Sequence, residues 1–368
     1  MSTSRDGREP LTSVRNRIQA SVVGRERELG LVLAAVAAGR DILLEGPPGT
    51  SKSTLLRAIT AQWGIPLVFV EGNADLTPAK LVGHHNPARV LREDYSPENF
   101  VDGPLIEAMR GGGFLYIEEF NRAPEDTLNT LLTAMAERRI AVPRVGEVVA
   151  GDTFRVIASM NPYDNIGTTR LSTSVHDRLC RLAISYQDAA AERDIVALRA
   201  PRFDQALADL KPALYERLVA DAVAVTRATR AHEDIRQGSS VRGAIDLTLV
   251  AGQLFTLAPE RLPVSSGPSA ALPGQGKAAG EAYQSPGPAR DAPGPLAAGE
   301  LPPGPARDTP EWDEAAEQSY RETVYDAMVV ALSGRIFLDE TVEASPEQVL
   351  RQIWEDHFIL APAAATPG

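Results

Sequence analysis

A chain of 368 residues, 43% hydrophobic and 23% charged, has room for two domains and the balance of a water-soluble globular protein. Its formal net charge of −12 argues against a nucleic-acid partner, because phosphate binding needs a basic face, and favours protein partners instead. The longest apolar run, near Leu29 to Ala38, is about half of the ~20 residues a membrane span requires; the polar start MSTSRDGREPLTSVRNR lacks a secretory core, and the single Cys180 excludes an internal disulfide and a multi-cysteine zinc site, so the expected location is cytoplasmic.

In chain order, residues 1–19 read as a flexible N-terminus. From about 20 to 186, strand and helix patterns alternate. A helical stretch, Arg25 to Ala38, precedes the short apolar run Asp41 to Glu45; a second helical stretch, Ser53 to Gln62, follows a glycine loop. Pro66 to Val70, Phe114 to Ile117 and Phe154 to Ala158 are further apolar strand candidates. Apolar strands separated by helices predict an α/β fold, a parallel sheet flanked by helices. Between 187 and 256 Ala- and Leu-rich helical patterns take over, and an all-α lid domain is expected. Residues 257–310 are rich in Pro, Gly, Ala and Ser, with the imperfect repeat GPARDAP and GPARDTP, and read as a disordered linker. Helical character returns over 311–361, read as helices completing the lid, before a tail at 362–368.

The glycine loop at 46–53 is GPPGTSKS, one residue away from the phosphate-loop pattern G-x-x-x-x-G-K-[ST], with Ser51 in the second glycine's place. Its context is the required one: the strand DILLE runs into it and the helix STLLRAITAQ runs out. Backbone N–H groups along Gly46, Pro47, Pro48, Gly49, Thr50, Ser51 and Lys52 (the prolines lending only shape) would wrap a phosphate, with Thr54 in the first helical turn. Lys52 would reach the β- and γ-phosphates of ATP, and the Ser53 hydroxyl would ligate Mg²⁺. About sixty-five residues on, GGGFLYIEEFNRAPEDTLNTLLTAMAERR ends a strand in two acids. Glu118 stands where NTPases of this class hold Mg²⁺, and Glu119 where they polarise the attacking water. At the C-terminal edge of an open sheet both carboxylates can face the ligand crevice.

With these elements placed, the chain resembles the AAA+ ATPases, specifically the MoxR branch. VVGRERELGLVLAAVAAGRDILLEGPPG is similar to that family's opening helix, strand and loop; EGNADLTPAKLVG to the segment after its second strand; IASMNPYDNIGTTRLSTSVHDRL to its sensor strand and arginine-finger segment; and GSSVRGAIDLTLVA to its lid segment. The resemblance covers most of residues 20 to 255. It implies that Asn161 orients the attacking water, that Arg178 is a finger inserted toward a neighbouring subunit's γ-phosphate, that Arg242 senses the γ-phosphate from the lid, and that Val22 and Val23 pack on the adenine. It further implies a homo-oligomeric ring, most often a hexamer, that hydrolyses ATP to remodel or mature a client protein, often one with a von Willebrand A-type domain, in maturation or metal-cofactor assembly. The alternatives carried with it are a DNA-directed motor or loader, and a nucleotide-binding scaffold that cycles slowly.

The chain departs from the family pattern at four points. Glu118 replaces an Asp, which lengthens the side chain by one methylene. Leu179 replaces a Phe after the finger. Arg170 stands where proline is usual and is a second candidate for a contact across the subunit boundary. His84-His85 lies in the segment that family members use for an inserted hairpin near the pore. Ser51, by contrast, occupies a position where the branch commonly carries a small non-glycine residue.

Overall fold

The computed structural model describes residues 11–19, 22–93, 95–162, 171–201, 210–261 and 314–360. The linker reading over 257–310, the tail at 362–368 and the candidate Arg170 therefore fall wholly or mostly outside the described residues.

Five strands form one sheet: β1 (Ile42–Glu45), β2 (Leu67–Glu71), β3 (Phe114–Glu118), β4 (Arg155–Met160) and β5 (Cys180–Ala183). Their spatial order is β2-β3-β4-β1-β5 and every pairing is parallel. The three central strands are buried on both faces, so they read as continuous apolar runs rather than as alternations. Their side chains nevertheless alternate between two cores. Leu43, Leu115, Ile117, Val156 and Ala158 face one helical layer. Ile42, Leu44, Phe114, Tyr116 and Ile157 face the other.

The first layer is built from α4 (Pro104–Gly111) and α5 (Glu125–Glu137), which contribute Met109, Leu128 and Leu131. The second is built from α2 (Glu26–Ala37) and α3 (Lys52–Trp63), through Leu29, Leu33, Leu55, Leu56 and Ile59. A further helix, α1 (Leu11–Gln19), joins that second layer: Val14 and Ile18, one turn apart, are fully buried against α2 and α3. Within residues 1–19, expected to be flexible, at least this segment is thus ordered. Burying these two branched aliphatic side chains stabilises the packing of α1 by a few kcal/mol.

Two short antiparallel ribbons sit outside the sheet, Gly83–His85 with Phe100–Asp102 and Arg139–Val142 with Gly146–Val149. A six-residue helix, α6 (Thr173–Arg178), leads into β5.

After β5 the chain builds a second core, mainly of helices: α7 (Ala189–Arg199), α8 (Pro212–Ala228), α9 (Val241–Leu257), α10 (Glu314–Leu332) and α11 (Pro346–Glu355). The last two come from the far side of the Pro-rich stretch, yet Tyr320, Val324, Met328 and Trp354 share one core with Leu218, Leu247 and Phe255. Polar contacts reinforce the join. Arg217 makes a two-pronged bond to Glu317 at 2.8 and 2.6 Å, and the Tyr320 hydroxyl donates to Asp221 at 2.7 Å. A short ribbon, Ile235–Gln237 with Phe337–Leu338, adds backbone pairing between the two segments. The sequence SPEQ at 345–348 starts α11 with a complete capping box between Ser345 and Gln348.

Candidate active site

The loop 46–51 leaves the C-terminal end of β1 and opens α3, so the free N–H groups of a 12-residue helix point toward one cleft. Two of its glycines are required by space. A Cβ on Gly46 would lie 2.0 Å from the Ile184 carbonyl oxygen; one on Gly49, whose φ is +75°, would lie 2.3 Å from Ser240 Oγ on the helical domain. Ser51 also has a positive φ, 65°. Glycine takes that conformation without penalty, whereas a side chain costs about 1–2 kcal/mol there, so the pattern's glycine has a backbone reason that Ser51 meets at some expense. Its Oγ accepts a long bond of 3.4 Å from Gln187 Nε2.

Lys52 Nζ donates to the carbonyls of Gly46 and Pro47 at 2.8 and 2.9 Å, folding back along its own loop. Burial pushes its pKa down to about 8, against the opposing pull of Glu119 and Glu118. Holding this ammonium charged costs the folded state below pH 8, a cost relieved as pH rises through 8 toward the unfolded value. A triphosphate beside Lys52 would hold the proton on. Nucleotide binding at pH 8.5 is therefore expected to take up most of one proton, and affinity to fall as pH climbs above 8. Titration calorimetry in buffers of different ionisation enthalpy reads the uptake directly; no buffer dependence would place Lys52 away from the phosphates.

Arg25 braces the loop from behind. Buried almost completely, it donates to the Thr50 carbonyl at 3.0 Å and to the Ser185 carbonyl at 2.7 Å, and pairs with Glu28 at 3.1 Å. Burial lowers its pKa, with Glu28 opposing. Sequence reasoning gave this arginine no role.

Across the cleft, β3 ends at Glu118, and Glu119 turns into the left-handed region with φ 53° and ψ 44°. That turn breaks the strand's alternation, which would otherwise send the two carboxylates to opposite faces. Both instead line a cleft of about 120 Å³ together with residues 48–54, Ser159, Met160 and Arg242. Ser53 Oγ donates to Glu118 Oε1 at 2.8 Å and lies 3.1 Å from the Tyr116 hydroxyl, which in turn lies 2.9 Å from Ser159 Oγ. Glu119 pairs with Arg122 at 3.4 Å. Asn161, just past the end of β4, is buried; its carbonyl accepts from Asn121 Nδ2 at 3.4 Å.

Ser53 and Glu118 offer two hard oxygen donors beside a phosphate loop, and among the described residues no cluster of three or more His, Cys, Asp or Glu could cage a metal. That donor set fits Mg²⁺, which takes few protein ligands and completes its octahedron with phosphate and water. His84 and His85 do not add to it: His85 packs edge-on between the rings of Tyr95 and Phe100, at 5.3 and 5.2 Å.

A second cleft of about 420 Å³ adjoins the first, lying between the sheet domain and the helical domain. Val22, Val23, Gly49, Ser51 and Thr54 line one side; Ile195, Leu198, Val241 and Ile245 line the other, and Arg242 borders both clefts. Its volume and apolar walls suit a planar base. The residues from α7 and α9 went unassigned in the sequence because apolar side chains at helical spacing ordinarily signal core.

Arg178 is elsewhere. It ends α6, immediately before β5, where Cys180 pairs with Ile42 at the N-terminal edge of β1. The phosphate loop leaves the opposite end, after Glu45, so the length of β1, about 10 Å at the rise of a parallel strand, separates the two along the sheet. Arg178 borders a separate pocket with Arg40, Asp41, Arg138 and Asp177, and its own bond is to the Ser174 carbonyl at 3.0 Å.

Residues 41–179 match the model of the AAA domain, dynein-related subfamily. The gas vesicle ATPase GvpN of Ancylobacter aquaticus is 27% identical over 237 residues, covering 60% of this chain and 62% of that protein. Protein YojN of Bacillus subtilis is 30% identical over 179 residues, covering 48% of this chain and 58% of YojN. The chain thus spans about three fifths of the length of these two relatives. Among solved structures, the RuvB Holliday junction branch migration motor of Thermotoga maritima aligns with a TM-score of 0.42 at 18% identity, covering 67% of each chain.

Proposed function

For a chain that belongs to the AAA+ ATPases, as this one does, we propose the following work: it hydrolyses ATP in a homo-oligomeric ring, a hexamer, and uses the resulting motion to remodel or mature a client protein, in the manner of the MoxR branch. The observation that carries this reading is the division of the machinery. Lys52, Ser53, Glu118, Glu119 and Arg242 border one cleft, while Arg178 borders a separate pocket beyond the other end of β1, which supports a role on a neighbouring subunit's cleft.

The base would lie against Val22 and Val23 and the phosphates along residues 46–52. Ser53 and Glu118 would hold Mg²⁺, which when bound would supply charge neutralisation for the phosphates. Glu119 draws a proton from the attacking water, and Asn161 orients that water. Lys52 from the same subunit and Arg178 of the partner subunit stabilise the charge that develops on the transferring phosphoryl group. Arg242, on the helical domain, exchanges a γ-phosphate contact for none, which changes the angle between domains. The name of GvpN as an ATPase supports the hydrolytic reading. The client is proposed to be a protein, including those with a von Willebrand A-type domain, in the cytoplasm; no described helix is long and apolar enough to cross a membrane.

The test is steady-state phosphate release at high protein concentration, with ATP and Mg²⁺, comparing the natural protein with Lys52→Ala. The natural protein is expected to be clearly faster. Equal rates would leave a nucleotide-binding scaffold.

A further inference from the structure

The contacts beneath the acid pair form a chain whose direction can be worked out. An ionised carboxylate only accepts, so the Ser53 proton goes to Glu118 at 2.8 Å. Having given its one proton, Ser53 can only accept from Tyr116 at 3.1 Å. The phenol's proton, which burial and the Glu118 carboxylate hold on, is thus turned toward Ser53 and Glu118, so Ser159 donates to Tyr116 at 2.9 Å. Every proton points the same way: Ser159 to Tyr116 to Ser53 to Glu118. Tyr116 and Ser159 are each about 1% exposed, on adjacent strands, and the Tyr116 ring is set in the apolar layer under α3 with Phe114, Leu44 and Ile157. Neither can rotate away without stranding a buried polar atom.

We infer that Tyr116 is a positioning residue for the Mg²⁺ site: its hydroxyl, anchored by Ser159, fixes the rotation of the Ser53 hydroxyl so that one lone pair of Oγ is occupied, the Ser53 proton points at Glu118, and the remaining lone pair faces the cleft. This inference rests on the Mg²⁺-ATP reading of the cleft. It also gives the lengthened acid a reason. Tyr116 and Glu118 are two residues apart on one strand and share a face, so the phenol sits below the carboxylate, and the extra methylene of Glu118 carries its oxygen out to the hydroxyl that Tyr116 holds. An Asp there would stop short by about one C–C bond.

The experiment is Mg²⁺ titration of fluorescent ATP-analogue binding, without turnover, for the natural protein, Tyr116→Phe and Ser159→Ala, with thermal melts of each. Tyr116→Phe keeps the ring and removes one oxygen. The Mg²⁺ concentration for half-maximal binding should rise about 5- to 10-fold, the worth of one well-placed hydrogen bond. Binding in EDTA should stay unchanged. Ser159→Ala, which removes the anchor and keeps the donor, should shift the Mg²⁺ midpoint the same way by less, and decides the matter if Tyr116→Phe does not fold. A lowered melting temperature with an unmoved Mg²⁺ midpoint in the variants would overturn the inference and leave Tyr116 a core residue. If the natural protein itself bound the analogue equally with and without Mg²⁺, the metal reading of the cleft would fall, and the inference with it.

Discussion

Glu119→Gln subunits are expected to bind ATP as tightly as the natural protein and to release phosphate about 10²–10⁴-fold more slowly, the usual worth of a positioned general base. The amide keeps the length and shape of the side chain and loses only the ability to take a proton. The backbone argues that this carboxylate is held for a purpose. Glu119 adopts φ 53° and ψ 44°, a conformation that costs a non-glycine residue about 1–3 kcal/mol, and the turn is what brings its side chain to the cleft beside Glu118. Glutamine occupies the same turn at the same cost, so the fold should be unaffected. Single-turnover phosphate release, read alongside equilibrium nucleotide binding, separates the two effects. A variant that kept the natural rate would move the base elsewhere.

Arg178→Ala should be at least as damaging, by about 10³-fold or more if the arginine acts as fingers do in GTPases, and the loss should be repairable by mixing. Arg178 ends α6 at the other end of β1 from the phosphate loop and borders a separate pocket, which favours action on a neighbour's cleft over its own. A Lys52→Ala subunit has a dead cleft and an intact finger; an Arg178→Ala subunit has the reverse. In a ring each subunit presents its finger to one neighbour. A random equal mixture should pair a working cleft with a working finger at about one quarter of the interfaces, so phosphate release should recover toward about a quarter of the natural rate. Recovery is the diagnostic result. A mixture as inactive as either variant alone would mean that Arg178 acts within its own chain or only on the fold.

How much of this was legible in the residues depends on the kind of signal. The central strands announced themselves because a parallel strand buried on both faces has nothing polar to interrupt it. Lys52, Ser53, Glu118 and Glu119 were legible because their chemistry is tied to strand ends, and strand ends are marked by where the apolar runs stop. Tyr116 was hidden inside such a run: in FLYIEE a tyrosine reads as core, and only the register of β3 beside β4 puts Ser159 under its hydroxyl. Arg25 was hidden for the opposite reason, since a charged residue at a helix start reads as solvated, whereas its partners are carbonyls 25 and 160 residues away. The helix over 11–19 was missed because LTSVRNRIQ carries only two inward apolar positions in an otherwise polar stretch. Ile195, Leu198 and Ile245 entered the base cleft through domain packing, which no local pattern encodes.

The shared core of the helical domain has a thermodynamic corollary. Arg242 belongs to α9, and α9 packs along α10, so the C-terminal helices and the cleft-bordering arginine form parts of one body. Free-energy coupling is reciprocal. If bound nucleotide changes tenfold the affinity of a molecule held by α10 and α11, that molecule must change nucleotide affinity tenfold in the same sense, a coupling of about 1.4 kcal/mol. On that reading a nucleotide in the cleft would report to α10 and α11, and whatever those helices touch would report back.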